Sequence, residues 1–276
     1  MQRLARIHQL MHSARASGLS FVPALLQSDR GTTWTEHEGR LWDLTTWMPG
    51  QADFRAVPTA SRLEAACIAV AQLHAVWARA TPQIGVCPAI RRRLERVREW
   101  LTLVKSGWQP RWEDRLDDPV RPWAERAWIC LTGGMESLPT VLGPWSERRM
   151  SLQPCLCDIW HDHVLFQGEV VVGIIDYGAV KTDHVAVDLA RLLGSLVGDE
   201  KKLRAAGLSA YRRVRPLSWE EETLVDFLDE SGTWIGLANW LEWLYREKRV
   251  FEDRQAVAGR LADLVLRVEN WLSRQS

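Results

Sequence analysis

Two short aliphatic runs, HVLF (163–166) and VVVGII (170–175), stand in a stretch of chain whose other apolar patterning is helical, and an aspartate lies on each side of them. Asp158 comes five residues before the first run and Asp176 directly follows the second. Short runs of β-branched and aliphatic residues joined by Gln167-Gly168-Glu169 predict a hairpin. A helical region interrupted by one hairpin is neither an all-helical bundle nor a doubly wound parallel sheet, so the expected fold class is α+β.

The rest of the chain changes period once. Leu4, Ile7, Met11 and Ala14 share one helical face, and Gly18 stands where such a helix would stop. FVPALL (21–26), TTWTEH (32–37) and RLWDLTT (40–46) read as three short strands separated by polar and Gly-containing turns. Pro49 and Gly50 end that pattern. Beyond Thr59 the spacing of Leu63, Cys67, Val70, His74 and Trp77 is helical, as is that of Ile90, Leu94, Val97, Leu101 and Val104. Further helices are predicted over about 122–137, 185–197, 201–213, 218–229, 233–247 and 252–273. The expected organisation is a small N-terminal unit, residues 1–50, of one helix and about three strands, followed by a large helical unit, 51–276, that carries the hairpin.

Charge narrows the partners. Lys+Arg and Asp+Glu are both 35, giving a formal net charge of zero, and a balanced chain has no broad field for nucleic acid or an anionic membrane surface. No apolar run approaches the roughly 18 residues of a membrane span, and MQRLARIHQL lacks the apolar centre of a secretory signal, so a cytoplasmic location is expected. The five cysteines have no disulfide-framework spacing and are read as free thiols. The sixteen tryptophans sit mostly among aliphatic residues and are read as core and groove walls.

Two carboxylates flanking a hairpin suit phosphoryl transfer. The first can accept the proton of an attacking hydroxyl, and the second, fixed at a strand end, can hold the magnesium that bridges nucleotide phosphates. On these residues the chain resembles the aminoglycoside phosphotransferase family, whose kinase-like pattern runs H-G-D-x-x-x-x-N-V-L-F, an aliphatic strand, I-D-[FY]-G and a later D-L-A. The counterparts are LCDIWHDHVLF, IIDYG and VDLARLL, while LWDLTTWMPG resembles the family's last N-lobe strand and hinge, and AQLHAVW its L-x-x-L-H helix. The resemblance implies a two-lobed protein-kinase-like fold with ATP and Mg2+ as cofactors and a small-molecule hydroxyl as acceptor. It further implies Asp158 as the catalytic base, Asp176 as a metal ligand, Thr46 and Met48 beside the adenine contacts of the hinge, and Asp188 as a support for the catalytic loop.

The chain departs from the pattern at two places. His163 stands where the family has the Asn that binds a second magnesium, so His163 is the expected second metal position, with a ligand less suited to a hard cation. The family's glycine-rich loop and phosphate-binding lysine belong before the opening helix, yet no lysine precedes Lys105 and no G-x-G occurs in residues 1–50. The N-lobe is therefore read as truncated, with a start site placed too far downstream as one explanation and a catalytically impaired pseudokinase or binding module as the rival function. Arg3, Arg6 and Arg15 are the candidate replacements for the lysine. A zinc site from Cys155, Cys157, His161 and His163 is disfavoured by the short C-x-C and H-x-H spacing, and His74 is read as a core histidine on its helix face.

Overall fold

The computed structural model describes residues 1–79, 83–112 and 118–273. In chain order the elements are α1 (Gln2–Ala16), β1 (Thr35–His37), β2 (Arg40–Trp42), α2 (Ala60–Trp77), β3 (Gln83–Val86), α3 (Pro88–Lys105), α4 (Arg121–Gly134), α5 (Leu138–Leu142), β4 (Arg149–Cys155), β5 (Val164–Gln167), β6 (Val170–Ile174), β7 (Lys181–Asp183), α6 (Ala186–Leu196), α7 (Lys201–Arg212), α8 (Trp219–Leu241) and α9 (Arg254–Ser273). The architecture is mixed α+β and rich in helix. The chain forms two compact units, one of residues 1–85 and 150–225, the other of residues 86–149 and 226–276.

The first unit begins with α1, which buries Ile7, His8, Leu10, Met11 and Ala14. His8 carries a polar tie as well as packing: Nε2 lies 2.9 Å from an Asp43 carboxylate oxygen and Nδ1 lies 2.7 Å from the Thr33 hydroxyl. Of the three runs read as strands, the second and third pair as β1 and β2. The first contributes a single bridge, Leu25 to Thr45. Every residue of β1 and β2 is exposed, Trp42 among them, and Leu44 and Trp47 add open apolar surface beyond the strands.

Helix α2 is capped by the Thr59 hydroxyl, which accepts from the Arg62 amide. Its expected stripe of Leu63, Cys67, Val70, His74 and Trp77 is entirely buried. Strands β5 and β6 form the expected hairpin, with an irregularity at Leu165/Phe166. The other edge of Phe166 pairs with Gln51: Gln51 N donates to Phe166 O at 3.0 Å, and Phe166 N donates to Gln51 O at 2.9 Å. This pair of hydrogen bonds ties the segment after β2 to the hairpin.

A three-stranded sheet, ordered β3-β4-β7, was not foreseen. Strand β4, RMSLQPC, has neither clean alternation nor a continuous apolar run and contains Pro154, a residue that argues against a paired strand. The run nevertheless pairs with β7, Pro154 opposite Thr182.

The second unit has its own core, in which Val97 and Trp100 of α3, Cys130 and Leu131 of α4, Leu237 and Leu241 of α8, and Leu261 and Val265 of α9 are buried together. The break predicted near residue 230 is absent: α8 runs through it and continues into a π-turn at Glu242–Arg246. Ser231 makes this possible by bonding its hydroxyl to the Phe227 carbonyl at 2.6 Å, an in-helix partner for a residue that otherwise favours caps and turns.

Gly50 is where the hinge segment meets the hairpin. Its φ is +93°, and an added Cβ would lie 2.6 Å from the Phe166 carbonyl oxygen and from a Val172 methyl. Gly168 also has positive φ, +60°, but nothing stands near it. Thermal or urea unfolding should therefore separate the two: Gly50→Ala is expected to cost about 3 kcal/mol and Gly168→Ala about 1 kcal/mol, the difference being the clash. Equal costs would remove the close approach from the account.

Candidate active site

The site is built from the loop between β4 and β5 and from the turn after β6. The loop bends at Leu156 and Cys157, whose amides both point inward to Asp188 in the first turn of α6. Leu156 N donates to Oδ2 at 2.7 Å and Cys157 N donates to Oδ1 at 2.6 Å. His74 of α2 completes the set, Nε2 donating to Asp188 Oδ2 at 2.9 Å. Asp188 is fully buried; a carboxylate so placed is tolerable only because each oxygen is engaged.

The His74 ring is read from its partners. A carboxylate only accepts, so Nε2 carries the proton, and bare Nδ1 accepts from the Tyr211 hydroxyl 2.8 Å away. Burial, opposed by Asp188, pushes the His74 pKa below its usual 6.5, which agrees with a neutral ring. Gln153 of β4 donates from Nε2 to the His74 carbonyl at 2.9 Å. Cys155 Sγ lies within 3.5 Å of the Gln153 and Asp183 carbonyls, so this thiol belongs to the buried sheet.

Turning both amides toward Asp188 puts Cys157 at φ +65°, a conformation that favours glycine. The following residue, Asp158, is half exposed, and Arg191 of α6 donates from Nε and Nη2 to its Oδ1 at 3.2 and 3.1 Å. One helix thus holds the loop twice, by backbone through Asp188 and by side chain through Arg191 one turn later.

Asp176 has φ +61° and caps the short 3-10 turn Tyr177–Ala179, its Oδ1 accepting from Gly178 N at 3.3 Å. His163 joins the two aspartate segments. Its Nδ1 meets the Asp158 carbonyl at 2.8 Å, its own carbonyl accepts from Ile175 N at 3.0 Å, and its Nε2 lies 3.6 Å from Asp176 Oδ2. The segments that carry the two sequence-predicted aspartates are therefore joined through one residue.

A divalent oxygen-seeking cation fits Asp176, an exposed carboxylate on a rigid turn. His163 fits by distance only, because its Nε2 also accepts from the Trp160 indole N–H at 2.8 Å. At the hinge, Thr46 N donates to Ala24 O and the Thr46 hydroxyl accepts from Ala24 N, so this residue is spent on sheet pairing. Met48 is buried, with its Cβ against Gly173 of the hairpin. Arg3 reaches the Asp176 turn, Nη2 donating to Gly178 O at 2.5 Å, and Arg6 bonds Thr182 Oγ1 at 3.0 Å. Arg15 instead bonds the Val22 carbonyl.

Sequence reasoning missed Arg191, Trp160 and Tyr211. Arg191 had a signal, since it lies three residues after Asp188 on the same helix. His74 is buried as expected, and its position in an apolar stripe pointed to a buried polar partner.

Residues 1–224 match the family model described as "Phosphotransferase enzyme family", and the chain belongs to that family. A homoserine kinase of Xanthobacter autotrophicus (strain ATCC BAA-1158 / Py2) is 28% identical over 244 residues, covering 85% of this chain and 68% of that protein. Among solved structures, a spectinomycin phosphotransferase in complex with ADP and spectinomycin superposes with a TM-score of 0.66 at 11% identity, covering 96% of this chain and 80% of that one. An aminoglycoside phosphotransferase from Alicyclobacillus acidocaldarius gives a TM-score of 0.59 at 16% identity, covering 98% and 81%. The fold is that of aminoglycoside phosphotransferases and related small-molecule kinases.

The buried network sets a pH dependence. Because the folded pKa of His74 is depressed, the unfolded chain binds more protons below about 6.5, so stability is complete above that value and falls as pH drops through it. Glu221 follows at lower pH: burial raises its pKa, but bonds from His184 and the Ser218 amide and the charge of Arg215 outweigh this and lower it from 4.5 to about 2. Melting temperature should decline first below about pH 6.5 and again below about 4.5, and His74→Gln should remove only the first decline. Backbone strain at Cys157 gives a second test. Cys157→Gly should change unfolding free energy by less than about 0.5 kcal/mol, whereas Cys157→Val, β-branched at positive φ, should lose about 2 kcal/mol.

Proposed function

We propose that the chain binds ATP with magnesium and transfers the γ-phosphoryl group to a hydroxyl of a small polar molecule. The observation that carries this reading is the single histidine, His163, bonded by side chain to the Asp158 segment and by backbone to the residue before Asp176. Asp158 takes the proton of the acceptor hydroxyl as its oxygen bonds to phosphorus and the bridge to ADP breaks. Arg191 engages Oδ1, which leaves Oδ2 as the oxygen for that proton. Magnesium, when bound, neutralises phosphate charge; Asp176 is the residue to hold it. The hinge around Thr46 and Met48 is the proposed adenine side. The homoserine kinase and spectinomycin phosphotransferase among the similar proteins make amino-bearing hydroxyl compounds the first acceptors to test.

A second reading, nucleotide binding without turnover, is favoured by one observation. Arg3, which reaches the Asp176 turn, spends Nη2 on the Gly178 carbonyl. Positioning and electrostatics supply nearly all the catalysis in phosphoryl transfer, so a cation committed to a backbone carbonyl weakens both binding and rate.

Calorimetry with ATP and Mg2+ should give a dissociation constant of about 1 mM, near 4 kcal/mol, and Asp176→Ala should abolish its metal-dependent part. Coupled ADP release, measured with an acceptor panel that includes homoserine and spectinomycin, should fall by about 10²- to 10⁴-fold in Asp158→Asn. Binding without ADP release for any acceptor would establish the second reading, and turnover unchanged in Asp158→Asn would overturn the first.

A further inference from the structure

His163 occupies the position where the resemblance implies a metal ligand, and its surroundings argue for another role. A backbone carbonyl can only accept and an indole N–H can only donate. The Asp158 carbonyl at 2.8 Å therefore requires a proton on Nδ1, and the Trp160 indole, also at 2.8 Å, requires a bare Nε2. A neutral imidazole offers one donor and one acceptor, and both are used.

The backbone locks the same pair. His163 N donates to Trp160 O at 2.9 Å, so the two residues are bonded by main chain and side chain together. The Trp160 ring is set edge-on to His161 and to His163, with centroids 4.7 and 5.4 Å away, which fixes the direction of its N–H. The 3.6 Å between Nε2 and Asp176 Oδ2 is too long for a hydrogen bond. A cation could span it, but the only lone pair of Nε2 already faces the indole.

We propose that Trp160 and His163 form a fixed relay, indole N–H to Nε2 and Nδ1–H to the Asp158 carbonyl, that positions the Asp158 backbone and keeps the imidazole out of the metal's coordination. Both are positioning residues. The relay takes over, by hydrogen bonds internal to the protein, the ordering of the loop that a metal–ligand bond would otherwise provide, and it leaves Asp176 rather than His163 to face the cation. The functional meaning of this rests on the phosphoryl-transfer reading given above; the hydrogen-bond relay itself does not.

The test is ring-nitrogen NMR of the full chain carrying isotope-labelled histidine, at about pH 8, above the ordinary imidazole range, with the His163 signals assigned by their loss in His163→Gln. The wild-type chain should show His163 as the Nδ1–H tautomer. Trp160→Phe should shift the Nε2 resonance or mix the tautomers. Mg2+ with ADP should leave the His163 Nε2 resonance in place. An Nε2–H tautomer in the wild-type chain overturns the relay without recourse to any variant, as does an unchanged Nε2 in a folded Trp160→Phe chain. A Mg2+-induced change at Nε2 that exceeds those of the other histidines overturns the exclusion from coordination. Failure of the functional reading looks different: Mg2+ and ADP would bind Asp176→Ala as well as wild type, or not at all, while the tautomer and Trp160→Phe results would still decide the relay.

Discussion

The arrangement of the site hangs on one buried carboxylate. Asp188 has no solvent to stabilise it, and its three partners come from separate parts of the chain: two successive amides of the loop after β4, and an imidazole from α2. Losing any of them leaves charge or a buried donor uncompensated, at about 1–3 kcal/mol for each unsatisfied group. The loop is thereby committed to one shape. That commitment is strong enough to hold Cys157 in left-handed backbone, a strain of about 1–2 kcal/mol for a residue with a Cβ, and it delivers Asp158 at the surface with Arg191 of the same helix beside it.

The network does not end at Asp188. His74 passes the constraint to Tyr211 in α7 through Nδ1 and to Gln153 in β4 through its carbonyl. Helix α7 is thus tied to the ring of His74 and strand β4 to its backbone, and through the ring both connect to the loop after β4. Trp77, one turn beyond His74, is buried, donates its indole N–H to the Leu10 carbonyl of α1 and packs edge-on against Tyr177, the residue after Asp176. Helix α2 therefore reaches both aspartate segments, the first through His74 and the second through Trp77.

How much of this could be read in the sequence follows from where each signal is stored. The hairpin, α1, α2 and α3 were legible because a repeating apolar period records burial directly. The pairing of Asp158 with Asp176 was legible because their order and flanking residues match a known family pattern. Strand β4 was not, since its burial comes from both sides of a sheet and Pro154 masks it. The continuity of α8 was not, because Ser231-Gly232 resembles a break unless the Ser231 hydroxyl is known to bond inside the helix. Trp160 and Tyr211 act through ring nitrogens and hydroxyls whose partners are set by three-dimensional approach, and no spacing rule records that. His163 shows the same limit: its residue type and position argued for a metal, while its hydrogen-bond partners assign its lone pair to an indole.

The two halves of the site are unequally built. On the Asp158 side, the backbone is held from both directions, its carbonyl by His163 and its preceding amides by the buried Asp188, while the half-exposed carboxylate meets Arg191 at the surface. On the Asp176 side, the carboxylate is mostly exposed, and the cation that reaches its turn, Arg3, is an exposed residue at the start of α1 bonded to a backbone carbonyl. Exposed charges are screened and hold geometry weakly. The Asp158 backbone is thus set by the fold, whereas in the proposed reaction the Asp176 side would gain its order only when a nucleotide arrives. In a reaction that depends on aligning phosphate with base, the free energy spent on that ordering raises the barrier and weakens binding together. If the proposed phosphoryl transfer holds, the alignment of the nucleotide, rather than the removal of the proton, is the step that limits it.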